Sequence, residues 1–248
     1  SQAGCRMGCA FCASTADGLL RNLTPGEMLD QILSIQKDTG ERIGNVVVMG
    51  TGEPLDNYEA LSAFLRILHQ EGGLNLSYRA VTVSTCGLIP GMERFGREFP
   101  QVNLAVSLHG PTDEIRGRLM PVNRTYPLDA LISACKRHVE LTGRRVTFEY
   151  ALIQGVNDRD QDAAELACKL SDLLCHVNLI PLNKVEEKEF SGSDRKDAER
   201  FRGLLERNGI TATVRRELGS DIDAVCGQLR LNHGRGTFAP CPGMDHSV

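Results

Sequence analysis

Short runs of β-branched and apolar residues alternate along the chain with longer segments in which leucine and phenylalanine recur every three or four positions. Six short runs, at 1–4, 45–49, 80–84, 102–108, 145–152 and 176–180, have the nearly continuous apolar character of strands buried in a parallel sheet. Between them Leu61, Phe64, Leu65 and Leu68 form one helical stripe, and Leu128, Leu131, Ile132 and Cys135 form another. Leu166, Leu170, Leu173 and Leu174 repeat it with one member missing. Thr24-Pro25-Gly26-Glu27 combines a hydroxyl cap, a proline at the first helical position and a glutamate three residues after the cap, so a helix starts there. Asp56 and Glu59 have the same spacing and predict a second such start.

Strand and helix alternating through six units give an α/β fold whose parallel sheet curves into a partial (β/α)6 barrel. A charged stretch at 184–194, a helix around Phe201 and Leu205 and a strand at 211–215 follow as a C-terminal helix–strand extension. The core is expected over 1–230, with a flexible Gly- and Pro-containing tail over 231–248.

A chain of 248 residues, 41% of them hydrophobic, is long enough to close one such core. No apolar run approaches the roughly 20 residues of a membrane span, so the expectation is a soluble, cytoplasmic protein without a membrane partner. The net charge of −4 excludes an overall cationic field, and any polyanion must meet a local patch. The first residue is serine and the first segment already resembles a strand entering a loop, so a segment upstream is expected to be missing.

Nine cysteines are an odd number for a disulfide framework, and three of them fall within eight residues as Cys5-Arg-Met-Gly-Cys9-Ala-Phe-Cys12. Three soft thiolates on one loop suit an iron–sulfur cubane that keeps one iron open to a ligand. Zinc remains the alternative, although a structural zinc site usually takes four ligands and no second CxxC follows. At the end of the next strand, Gly50-Thr51-Gly52-Glu53 offers close backbone approach and a carboxylate able to pair with an ammonium group. The same residues also describe an ordinary glycine turn. Ser84, Ser107, His109 and Asn183 recur at later strand ends, where parallel α/β folds gather their ligands.

Several stretches together resemble the radical S-adenosylmethionine (SAM) superfamily, and within it the RlmN and Cfr adenine methyltransferases. They are Gln2-Ala-Gly-Cys5, Gly52-Glu53-Pro54, Ser84-Thr-Cys-Gly87, Ser107-Leu108-His109, Arg118-Leu-Met-Pro-Val-Asn123, Gly155-Val-Asn-Asp158, Val177 through Asn183, and Asp221 through Leu229. The resemblance implies a radical SAM barrel in which Cys5, Cys9 and Cys12 hold a [4Fe-4S] cluster. It places Gly52, Glu53, Ser84, Ser107, Leu108, His109 and Asn183 on S-adenosylmethionine, and makes Cys226 the catalytic cysteine that is itself methylated before the methyl carbon is passed to adenine. Val225 stands where the family has alanine, and Cys86, where serine is usual, reads as a small packing residue.

The implied reaction is methylation of adenine C2 in 23S rRNA and tRNA, an electron-poor carbon that polar methyl transfer does not reach. A reductant such as flavodoxin or ferredoxin and a monomeric enzyme are implied with it. Family members resolve the adduct with a second cysteine just before the cluster motif and bind RNA with a helical accessory domain, both outside this sequence. The chain as given is therefore expected to bind cluster and SAM without turning over. For RNA the candidate cations are Arg21, Arg79, Arg116, Arg118, Arg124, Arg144, Arg145, Arg215 and Arg216, a set that also describes a dispersed solvated surface. Three readings compete: Cfr-like C8 methylation; a radical enzyme that modifies a protein or peptide, with Cys226 and Cys241 as auxiliary cluster ligands; and a zinc-bound RNA-binding module without enzymatic activity.

Overall fold

The computed structural model describes residues 1–182 and 190–215. Its centre is a six-stranded parallel sheet made of β3 (Val46–Val48), β4 (Val81–Thr85), β5 (Asn103–Ser107), β6 (Val146–Leu152), β7 (Cys175–Pro181) and β8 (Ala212–Val214). Each strand pairs with the next in sequence, so the order never reverses. The helices α1 (Pro25–Thr39), α2 (Tyr58–His69), α3 (Ile89–Glu98), α4 (Asp113–Leu119), α5 (Leu128–Thr142), α6 (Asp160–Leu170) and α7 (Arg195–Arg207) fill the connections.

Side chains alternate across a strand, and the alternation divides this sheet chemically. Val81, Val83, Leu104, Val106, Val146, Phe148, Tyr150, Val177 and Leu179 enter one continuous core with the helix stripes, in which Leu61, Phe64, Leu65, Leu68, Leu131, Cys135, Leu166, Leu170, Phe201 and Leu205 are buried. The intervening positions carry Thr82, Ser84, Ser107, Thr147, Glu149 and Asn178. The non-core face thus carries these polar groups among Val47, Ala105, Ala151 and Ile180, and offers them to a ligand inside the open barrel. Of the third helical stripe, Leu173 is buried and Leu174 is exposed.

Two expectations change. The six parallel strands are present, but the run at the chain start is not one of them. β1 (Gln2–Gly4) pairs antiparallel with β2 (Leu19–Asn22) in a separate two-stranded sheet, and the sixth parallel strand is β8 of the C-terminal extension. β2 gives no sequence signal because its residues are largely exposed, Leu20 at 67%.

The helix start at Thr24 forms as a full capping box, closed by the Glu27 side chain on the Thr24 N–H at 2.9 Å. The Asp56–Glu59 box does not form. A 3-10 turn at Pro54–Asn57 precedes α2, whose N-cap Asn57 makes no side-chain cap. Asp56 instead accepts from Gln2 Nε2 at 2.8 Å and Arg6 Nε at 2.9 Å, having been captured by the neighbouring hairpin.

Candidate functional site at the strand ends

The loop that follows β1 closes on itself, with the Cys5 N–H donating to the Gly18 carbonyl at 2.9 Å. Inside it the Thr15 hydroxyl donates to the carbonyls of Cys9 and Cys12 at 3.1 and 2.9 Å, fixing the two-residue spacing between those thiols. The Ala10 N–H donates to the Leu119 carbonyl at 2.8 Å and anchors the loop on the end of α4. Cys5, Cys9 and Cys12 are free thiols that line one cavity of about 140 Å³, together with Gly52, Glu53, Ser84, Ser107 and His109. Burial pushes the Cys5 thiol up and the Cys9 thiol up to about 12, each raised further by neighbouring cysteines. Such thiols ionise when a bound cation supplies the compensating charge.

The donor set fits a cluster. Among the described residues no three His, Cys, Asp or Glu side chains converge as ligands of one ion, whereas in a cubane each cysteine binds a different iron and the sulfurs stand around the group.

At the end of β3 the chain turns through Gly52, which has φ +96° and sits against the Gln2 side chain. A Cβ there would overlap Gln2 Cβ and lie 2.7 Å from Oε1, so the position demands glycine twice over. Gln2, fully buried, joins the hairpin to the turn by accepting the Glu53 N–H at 2.8 Å and donating to Asn22 Oδ1 and Asp56 Oδ2. Glu53 is itself 3% exposed, and its two oxygens accept the N–H groups of Leu55 at 3.0 Å and Cys86 at 2.7 Å. Burial pushes its carboxyl up, while these donors pull it back. The Thr85 and Cys86 side chains are further donors to it, so a cationic ligand in the cavity would share its oxygens with them.

His109 ends β5 in the left-handed region, with φ +56°, a conformation unusual for a side-chain-bearing residue. Asn157 holds it there, donating from Nδ2 to the His109 and Ala151 carbonyls at 2.8 and 2.7 Å and accepting the Ile153 N–H at 2.7 Å. His109 Nδ1 accepts the Ala151 N–H at 2.9 Å. Burial, with the Arg116 cation nearby, lowers its pKa to about 3. The ring is therefore neutral and carries its proton on Nε2, and it packs against the Phe11 ring in a T-shaped arrangement with centroids 4.8 Å apart.

Leu108 adjoins the site differently, with its side chain in the core and its N–H donating to the Glu149 carbonyl at 3.0 Å. Asn183 and Cys226 lie outside the described residues, as do Arg216 and Cys241. Sequence reasoning missed Gln2 and Asn157 as the residues that position the site. It also took Cys86 for packing alone, whereas Cys86 lines the cavity and its N–H binds Glu53.

The arginine set separates. Arg116 is fully buried and is removed from any surface patch. Arg79, Arg144 and Arg145 precede β4 and β6, at the end of the sheet opposite the cavity, where Arg79 bonds Gln101 and Arg144 bonds Asn103. Arg118 and Arg124 are exposed beside Met120 of the cavity wall, and Arg21 is paired with Glu27. Arg215 is exposed just after β8.

The family model of the radical SAM superfamily matches residues 1–167. A protein of Desulforamulus reducens described as a probable dual-specificity RNA methyltransferase RlmN is 56% identical over 94% of this chain and 67% of its own length. The like-named protein of Clostridioides difficile is 54% identical over 94% of this chain and 68% of its own. The chain thus spans about two thirds of these relatives. The crystal structure of a radical SAM methyltransferase from Sphaerobacter thermophilus superposes with a TM-score of 0.88 at 52% identity, covering 92% of this chain and 67% of that one. Streptococcus suis SuiB bound to S-adenosylmethionine shares the fold at 17% identity and a TM-score of 0.61, covering 90% of this chain and 47% of that one. With the thiol loop, the glycine turn and the strand-end rim in one cavity, the chain belongs to the radical S-adenosylmethionine superfamily and, within it, to the RlmN family of RNA methyltransferases.

Proposed function

We propose that the protein of which this chain is the SAM-binding core methylates C2 of adenine in 23S rRNA and tRNA, with Cys226 carrying the methyl group. The observation that supports this most is the convergence of Cys5, Cys9, Cys12, Glu53, Ser84, Ser107 and His109 on one cavity at the carboxyl ends of the strands. When bound, the [4Fe-4S] cluster supplies an electron that cleaves the sulfonium of SAM, which opens carbon-radical chemistry at a carbon too electron-poor for polar transfer.

The chain's own residues then have separate tasks. Cys5, Cys9 and Cys12 hold three irons. Glu53, fixed by the Leu55 and Cys86 amides, offers its oxygens to the amino group of SAM. Gly52 allows close approach of the backbone, and Ser84 and Ser107 present hydroxyls from adjacent parallel strands. Leu108, whose side chain is in the core, can meet a ligand only through its backbone. Neutral His109 donates from Nε2 without adding a charge beside the sulfonium. Asn183 completes the SAM contacts. The names of the relatives favour C2 over C8.

Anaerobic reconstitution with iron and sulfide tests the first half: about four irons per chain, together with a reduced electron paramagnetic resonance (EPR) signal that changes when SAM is added. A colourless protein holding one zinc overturns it. Mass spectrometry of RNA from cells carrying the full-length protein tests the second half, with 2-methyladenine as the expected product and 8-methyladenine as the result that rejects it.

A further inference from the structure

Arg116 is fully buried, and no carboxylate among the described residues forms a salt bridge with it. Its guanidinium donates from Nη2 to the Cys86 carbonyl at 2.8 Å and from Nη1 to Asn123 Oδ1 at 2.7 Å and the Tyr126 carbonyl at 3.4 Å, all uncharged acceptors, and Nε has no partner among the described residues. The nearby Asp113 accepts from Asn123 Nδ2 and the Leu128 N–H, and reaches Arg116 through its charge without forming a salt bridge. A guanidinium stays protonated in proteins, so a full positive charge is stored in the interior.

Its position is behind the cavity wall. Cys86 lines the cavity with the three cluster thiols, and the loop that carries Cys9 is anchored on Leu119, three residues beyond Arg116 in the same helix. Buried unpaired charge is costly; Asp113 offsets it in part without a salt bridge, and on the cavity side an anionic assembly of thiolates and iron, which gains a further negative charge on reduction, would offset the rest.

We infer that Arg116 is the fixed counter-charge of the cluster, a positioning residue that holds the Cys86 carbonyl and favours the reduced state through its field. Cluster potentials respond to nearby charge and solvent exposure, and a buried charge is screened less than an exposed one. The inference rests on the proposal that Cys5, Cys9 and Cys12 hold a cluster.

The test is the midpoint potential of the reconstituted full-length protein, followed by the EPR signal of the reduced cluster in the native form and in Arg116→Lys and Arg116→Gln. Arg116→Gln is expected to lower the reduced fraction at fixed potential by about tenfold, a shift of about 59 mV to more negative values for one electron. Arg116→Lys, which keeps the charge and loses the paired hydrogen bonds, is expected to retain most of the native potential. Equal native and Gln potentials overturn the inference, as does a Lys variant shifted as far as Gln, since that outcome assigns the effect to geometry. If Arg116→Gln does not fold, Arg116→Met, which removes the same charge with a side chain suited to a buried site, is measured in its place and judged by the same two outcomes. A native protein that takes up no cluster refutes instead the proposal on which the inference rests.

Discussion

Glu53 at the end of β3 receives the backbone N–H of Cys86, just beyond β4, at 2.7 Å, with both residues buried. Two neighbouring strand ends are thereby tied across the cavity by a carboxylate that the sequence suggests only as a partner for a ligand. In Glu53→Gln one oxygen becomes an amide nitrogen facing an N–H donor. The expected cost is about 1–3 kcal/mol for an unsatisfied buried donor, read by chemical unfolding of the cluster-free protein, with weaker SAM binding by the reconstituted one. Because burial raises the Glu53 pKa, its contribution to stability is fully present below the unfolded value of 4.5 and declines as pH rises through the folded value. The Gln variant should lack that component. Unchanged stability in Glu53→Gln contradicts the structural role.

His109 has the opposite sign. Its folded pKa, lowered to about 3, lies below the unfolded 6.5, so its contribution is present above 6.5 and is lost as pH falls towards 3. At pH 5 to 8 the ring should give the nitrogen NMR signature of a neutral imidazole protonated on Nε2, and SAM binding should show no titration step from it. Detection of an imidazolium at pH 6 contradicts this assignment.

His138, on α5, shares that pH behaviour for the same reason, burial with an arginine nearby. It is 5% exposed, neither ring nitrogen has a partner among the described residues, and burial lowers its pKa to about 4. Buried polar atoms without partners destabilise a fold, so His138→Leu is expected to stabilise the protein by about 1 kcal/mol and to flatten acid unfolding between pH 6.5 and 4. Scanning calorimetry at pH 5 and pH 8 measures both effects. A lower melting temperature at both pH values would show that the imidazole has a partner the fold needs.

Gly52→Ala should disrupt the turn at the end of β3. The added methyl meets Gln2, which cannot retreat without releasing the Glu53 amide, Asn22 and Asp56 together. The expected outcome is a folded core with reduced iron uptake, seen as native helical circular dichroism beside less iron per chain. Full iron content in the variant rejects this account of the turn.

Legibility followed periodicity and local chemistry. The helix stripes, the Thr24 cap and most of the strands could be read because burial imposes a repeat on the residues themselves. The spacing of Asp56 misleads because it satisfies a local rule, while the hairpin amide of Gln2 and the guanidinium of Arg6 claim the carboxylate from about fifty residues away. β1 looks like a parallel strand because three residues carry too little pattern to name their partner, which is β2. The strand-end polar residues were legible through fold logic. Their supports, Gln2 and Asn157, were not, since a buried amide leaves no periodic trace.

The arginines illustrate the same limit and give the last prediction. Spread along the sequence they form one series, but the fold puts Arg118 and Arg124 beside the cavity and Arg79, Arg144 and Arg145 at the far end of the sheet. An RNA that reached the cavity across the Met120 side would pass the first pair and be remote from the other three. In the full-length protein, replacing Arg118 and Arg124 by glutamine should weaken RNA binding and reduce the slope of log affinity against log salt by about 0.7 to 0.9 for each phosphate that is no longer neutralised. Replacing Arg79 and Arg145 should leave both unchanged. Arg118 also lies over the Phe190 ring at 6.0 Å, so its substitution is checked for stability before binding is compared. Equal slopes for the two double variants would mean that RNA does not approach across this rim.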